Sequence, residues 1–276
     1  MTLPDTYEEI KPSIVAFLST GLKNSDDPAV RFPNLLGTGF IVDSRGIVAT
    51  NAHVIKALEA LPRDPSTGKR IGRAVLLQDG VSETRGFVRM IPAEIRSVAT
   101  IKVFIPDEFW FGEEGGPDIG FVQINLSGLP EASLCEESVP FRPGISVATA
   151  GYPLGLDPSL MYGKFTCPQP LIRRGIISSV LPNRAPEPQS FTTDIMIQGG
   201  ASGSPVFLCD RPVVVGIMHA SLLDGEANTN ISIAVSSIQV AEGLRTLLQQ
   251  HHFSFEGSLS LAEHVAISPV IRVDGI

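Results

Sequence analysis

The sequence is poor in cysteine, in basic charge and in long apolar runs, and each shortage closes off a class of protein. Its three cysteines, Cys135, Cys167 and Cys209, are an odd number placed far apart. They make no disulfide framework and lack zinc-site spacing, so each is expected to be a buried small hydrophobe. Lys and Arg number 21 against 29 Asp and Glu, a formal net charge of −8. Holding nucleic-acid phosphates needs a basic surface, so nucleic acid is excluded as the expected partner. No apolar stretch is long enough to cross a membrane as a helix. The first twenty residues, MTLPDTYEEIKPSIVAFLST, lack a basic start, an apolar run and a small-residue cleavage site. They read as no secretory signal, which predicts a cytoplasmic protein.

What the sequence does have is turn chemistry and short apolar runs. Its 276 residues, room for one large or two small domains, carry 26 Gly and 22 Pro. Between turn signals lie Ser13–Phe17, Gly39–Val42, Arg73–Leu77, Thr100–Ile105, Ile119–Ile124, Ile145–Ala148, Gly175–Val180 and Val213–Met218. Their β-branched content and short spacing predict an all-β barrel or sandwich. Two helices are expected, over Ala52–Leu61 and over Ser237–Gln249, the second capped by Ser236. Val240, Leu244, Leu247 and Leu248 share one face of that second helix. A turn-rich stretch at 126–140 divides the strands into two similar groups. The expected architecture is therefore two six-stranded antiparallel β-barrels with a C-terminal helix. Residues 1–130 would form the first barrel, 131–249 the second with its final helix, and 250–276 a tail. Within the tail, Val265–Val273 is apolar enough for an added strand, or for lying on the body or a partner.

Three segments carry candidate chemistry. In GGASGSPVF, residues 199–207, Ser202 stands between small residues. Glycine lets the backbone approach closely, so the N–H groups of Gly200 and Ser202 could face a developing oxyanion. In GTGFIVDSRGIVATNAHVI, residues 37–55, a hairpin around Asp43–Gly46 delivers His53 to a short helical turn. In GGPDIGFVQINL, residues 115–126, Asp118 directly precedes an apolar strand. Singly, each has a bland alternative: a Gly/Ser turn, a structural histidine, a turn aspartate. Together they supply a nucleophile, a base and a carboxylate to orient the base. The chain order is His, Asp, Ser, with gaps of 65 and 84 residues. That order differs from those of α/β-hydrolases and subtilisins. It puts His53 and Asp118 in the first barrel and Ser202 in the second, with the site in the cleft between.

These motifs resemble those of trypsin-like, chymotrypsin-fold serine peptidases, closest to the HtrA/Deg-like bacterial branch. TNAHV is similar to their histidine motif, PDIGFVQI to their aspartate motif, and TTDIMIQGGASGSPVF to the run into their nucleophile. RPGISVATAGYPLGL, RRGIISSV and IAVSSIQVAEGLRTLL resemble later strands and the last helix, so the resemblance covers about residues 7–249. Three departures stand out. Ala201 replaces the usual Asn or Asp, Ser204-Pro205 is closer to glutamyl endopeptidases, and too few residues follow the helix for a PDZ domain. No Ile-Val-Gly-Gly activation start is present.

The resemblance implies a serine endopeptidase needing no metal or organic cofactor, acting on polypeptide. It implies that Met196, Ile197, Gln198 and Gly199 wall the specificity pocket opposite Met218, His219 and Ala220. Met196, Ile197 and Met218 are apolar and predict small or aliphatic residues before the scissile bond. His219 is expected to be a structural histidine by the cleft. His251, His252 and His264 have no spacing that suits a metal. The alternative reading is a latent or inactive peptide-binding module that keeps the fold. The tail could serve as a switch or as a homo-oligomer contact.

Overall fold

Most of the apolar runs fold as strands that bury both faces, β1, β3 and β6 throughout their length, whereas the run at 175–180 buries only Ile177 fully. The computed structural model describes residues 1–19, 35–63, 65–68, 72–82, 85–101, 117–137, 141–153, 169–181, 188–224, 227–267 and 271–274. The first barrel is built from β1 (Ile14–Ser19), β2 (Leu35–Asp43), β3 (Ile47–Thr50), β4 (Gly72–Ser82), β5 (Arg85–Thr100) and β6 (Gly120–Ile124). Its spatial order is β5-β4-β1-β2-β3-β6, closed by a β5–β6 pairing. Short strands β7 (Leu126–Ser127) and β8 (Ser133–Leu134) lead to the second barrel. That barrel has β9 (Ser146–Gly151), β10 (Leu171–Leu181), β11 (Ser190–Thr193), β12 (Pro205–Leu208), β13 (Val213–Asp224) and β14 (Ala227–Ser236). Its order, β12-β9-β10-β11-β14-β13, closes through β12–β13, and β8 adds in parallel to β13. The two six-stranded antiparallel barrels expected from the sequence are present.

The period-2 alternation of a strand sorts side chains between three cores. From β1, Val15 and Phe17 fill the first barrel while Ile14, Ala16 and Leu18 enter a core shared with the second. From β3, Val48 points into the barrel and Ile47 and Ala49 into the shared core. The second barrel answers with Phe207 and Val214 outward to that core, and Val206, Leu208 and Val215 inward. Burying each large side chain contributes about 1.5–3 kcal/mol. This is why the buried strands read as continuous apolar runs, and the shared core packs one barrel against the other.

Helices brace the ends. Helix α1 (Leu3–Ile10) starts with a Thr2–Asp5 capping box and Pro in its first turn. Tyr7 of α1 donates its hydroxyl to Pro170 O at 2.7 Å, docking the N-terminus on the second barrel. Helix α2 (Ala52–Ala60) follows β3. In α3 (Ser237–Gln249), Ser236 Oγ accepts from Ile238 N at 3.2 Å, the cap expected from the sequence. Val240 and Leu247 are buried in the shared core, with Leu244 and Leu248 packed against it.

The tail lies on the first barrel. It contains β15 (Leu259–Ser260), α4 (Leu261–Ile267) and β16 (Ile271–Asp274). β15 pairs with β7, and β16 adds antiparallel to β5 with Ile271 opposite Met90. Part of the expected apolar run is thus helical, because Ser260 and Glu263 form a capping interaction ahead of it. The expected strand Thr100–Ile105 overlaps only the end of β5, since residues 102–105 lie outside the described residues, as does Cys167. Cys135 is buried and Cys209 half-buried, both as free thiols.

Candidate active site

His53 and Asp118 are brought together by the end of one strand and the start of another. Thr50 ends β3, and Gly120, opposite it, begins β6. His53 sits in the first turn of α2, just past the Asn51 N-cap residue. Asn51 Nδ2 donates to the Asp118 carbonyl at 2.8 Å, which pins the segment before β6 beneath the helix start. A Cβ on Gly120 would overlap the Ile55 side chain, so only glycine allows α2 to sit this close. The Asp118 carboxylate then accepts twice from His53: from the backbone N–H at 2.9 Å on Oδ1, and from Nδ1 at 2.5 Å on Oδ2.

A second histidine shares that oxygen. His219 Nδ1 lies 2.7 Å from Asp118 Oδ2, and the two imidazole centroids are 6.2 Å apart. Burial alone would push the Asp118 carboxyl up, but the donors on His219 and His53, with their charge, hold it well below the usual carboxylate range. An ionised carboxylate only accepts, so both imidazoles present Nδ1–H to it. A neutral His53 therefore carries its lone pair on Nε2. Its side chain is 47% exposed against 12% for Asp118 and 15% for His219, so the ring edge is open to the cleft while the carboxylate is shielded.

Ser202 lies in the loop between β11 and β12, and this loop is held from both barrels. Thr38 of β2 donates its N–H to Ser202 O and its hydroxyl to Gly200 O, each at 2.8 Å. Thr50 Oγ1 in turn donates to Thr38 O at 2.7 Å. On the other side, Gly203 N donates to Met218 O at 3.0 Å and Met218 N to Ser204 O at 2.9 Å. Gly200 and Gly203 have φ of +92° and +85°, the left-handed region that favours glycine. At Gly203 a Cβ would also overlap the Thr38 carbonyl oxygen and the Thr50 hydroxyl. Ser202 is thus placed one residue from contacts with Thr50, three residues ahead of His53, and with Met218, the neighbour of His219. Among the described residues, the amide N–H groups of Gly200 and Ser202 donate to no protein acceptor.

The expected pocket residues are distributed unevenly. Met196 and Gly199 are exposed and Gln198 is half-buried, whereas Ile197 is buried. His219 and Ala220 are half-buried, and Met218 is fully buried in the second barrel's core. Ser221 Oγ donates to Ile197 O at 3.1 Å, joining the two walls. Sequence reading missed Arg173 of β10, whose guanidinium bonds Met196 O and reaches Gln198 Oε1 at 3.4 Å. It also missed the bond from His219 to Asp118. Residue spacing held no signal for either, because both depend on how β10 and β13 pass the cleft.

Two closed β-barrels, a His–Asp pair from the first and a glycine-flanked serine loop from the second, define a chymotrypsin-like peptidase architecture. Residues 37–217 match the trypsin-like peptidase domain family, and the chain belongs to it. It is 27% identical over 216 residues to a protein of Halomonas elongata called a probable periplasmic serine endoprotease, DegP-like, covering 76% of this chain and 35% of that one. It is 26% identical over 221 residues to the magnetosome formation protease MamE of Paramagnetospirillum magneticum, covering 79% and 24%. The chain therefore spans about a third and a quarter of these curated relatives. In fold it is similar to the HtrA-type protease AlgW, solved with a decapeptide, at TM-score 0.56 and 18% identity over 91% of this chain and 68% of that one. The expectation of a cytoplasmic protein is corrected here, since the Halomonas relative is by its name periplasmic. Address signals are separate, removable segments, so the folded domain's own residues are no guide to the compartment.

Proposed function

We propose that this chain cleaves internal peptide bonds of polypeptides through His53, Asp118 and Ser202. Ser202 Oγ attacks the scissile carbonyl while its proton passes to His53 Nε2. The N–H groups of Gly200 and Ser202 face the resulting oxyanion. His53 then gives the proton to the leaving amine as the C–N bond breaks, leaving an acyl-enzyme on Ser202. Water, deprotonated by His53, attacks that ester and restores the serine. Asp118 keeps His53 in the Nδ1–H tautomer throughout. The observation that carries this reading is the 2.5 Å His53–Asp118 contact beside a serine loop fixed from both barrels.

The apolar Met196 and Ile197 on the pocket wall support a preference for small or aliphatic residues before the scissile bond, though a methylene changes such selectivity only about 10–200-fold. By analogy with the periplasmic name of its relative, the setting inferred is outside the cytoplasm. Digestion of a peptide library with mass-spectrometric readout tests the proposal. The expected result is cleavage after small aliphatic residues that disappears in Ser202→Ala. Persisting cleavage by Ser202→Ala would overturn it, and stoichiometric peptide retention without products would identify a peptide-binding module.

A further inference from the structure

Asp118 holds two histidines where the proposed catalysis needs one. His53, Asp118 and His219 each offer a ligand atom, and these atoms lie within 4.8 Å of one another. The atoms converge on one point because both Nδ1 positions are directed at the same carboxylate oxygen, at 2.5 and 2.7 Å. We propose that this His–Asp–His cluster is a binding site for a borderline transition-metal ion such as Zn²⁺, and that occupancy switches the proposed peptidase off.

Two imidazoles and one carboxylate form a donor set that suits zinc, with a fourth position left for water. The carboxylate is held ionised, and two neutral imidazoles add no charge, so the three ligands together carry one negative charge toward a dication. Zn–N distances of about 2.0–2.1 Å and Zn–O distances of about 2.0–2.2 Å place tetrahedral ligands farther apart than hydrogen-bonded ones. The His53 ring must therefore move outward slightly. The exposed side of His53 can move, since its side chain is 47% exposed, and it also gives the ion a way in. His219 and Asp118 are shielded and supply the fixed part of the site.

Occupancy has a defined chemical consequence at His53. A metal on Nδ1 takes the lone pair of that nitrogen, so the hydrogen held there passes through solvent to Nε2. No net proton is gained or lost by the neutral ring. The nitrogen that must accept the serine proton is then already protonated, and Asp118 is occupied by the ion. Inhibition thus follows from an inverted tautomer, without any blockage of the pocket for substrate. This consequence rests on the proposed catalytic roles, whereas metal binding itself does not.

Calorimetric titration of zinc chloride into the Ser202→Ala chain tests the binding. His251→Ala and His252→Ala are added to remove the exposed histidine pair after α3. The expected result is one zinc per chain. Affinity should fall at least about 10–100-fold, the range set by even an outer-shell partner, in both His219→Asn and Asp118→Asn. His219→Asn can still hydrogen-bond Asp118 but is a poor ligand, and its melting curve checks that it is folded. Unchanged affinity in folded His219→Asn would overturn the site. With Ser202 restored, zinc should suppress fluorophosphonate labelling of the wild type, and His219→Asn, scored against its own zinc-free labelling rate, should lose that suppression. Zinc binding in a chain that never labels would sustain the metal site and sink the peptidase reading. Labelling that zinc does not suppress would sink the switch.

Discussion

At the residue scale the site turns on one carboxylate. Asp118 accepts a backbone N–H and two imidazole N–H groups, so it orients His53 and remains ionised well into acid. In Asp118→Asn the amide cannot accept in the same way, and His53 loses its fixed tautomer. A fall in kcat of about 10⁴-fold is expected, the scale seen when a triad aspartate is so changed; a fall below tenfold would show that Asp118 does not orient the base. The same group makes stability depend on pH. An unfolded Asp titrates near ~3.9 and the folded carboxyl lower, so between those values the unfolded chain binds more protons. The stabilisation is full above that window and is lost as pH falls through the folded value. Urea melts at descending pH should lose stability below about pH 4, less so in Asp118→Asn; identical profiles would contradict the shift.

At the element scale the serine loop depends on glycines that only the assembled barrels explain. Gly203→Ala puts a side chain at φ +85° against Thr38 and Thr50. Left-handed backbone alone costs about 1–2 kcal/mol for a non-glycine residue, and each kcal/mol shifts Tm by about 2–4 °C at this chain length. Melting several degrees lower is expected, together with lost hydrolysis because Ser202 is displaced. A variant with wild-type Tm and rate would show the loop to be looser than described. The sequence made Gly200 and Gly203 legible as backbone hinges, since they bracket the candidate nucleophile. The contacts that leave no room for a Cβ at Gly203 were not legible, because Thr38 and Thr50 are more than 150 positions away. The same reasoning separates the histidines. His53 was readable from its motif, but the role of His219 depends on β13 carrying it past the first barrel's carboxylate. The α1 capping box, Thr2 with Asp5, was local and could have been read.

At the scale of the whole molecule, the barrels share one core and the tail closes it. Strand content, the cleft and the last helix followed from apolar runs and turn signals. The attachment of the tail did not, because β16 finds β5 through backbone pairing that leaves little trace in composition. The tail is fixed by Gln123 Nε2 donating to Ser254 O at 2.5 Å, by Arg96 donating to Glu256 O at 2.7 Å, and by Phe253, only 6% exposed. Phe253→Ala should destabilise the fold by about 3–5 kcal/mol, as large-to-small core changes do. Chemical denaturation checks this, and a loss under about 1 kcal/mol would mean that the tail rests on the body without contributing to the core.

The central claim is that His53 and Asp118 activate Ser202. Labelling of the wild type and of Ser202→Ala with a fluorophosphonate, followed by peptide mapping, tests it most directly. The account predicts one adduct per chain, on Ser202, and none in the variant. A folded wild type that takes no label, or takes it on another residue, would contradict it.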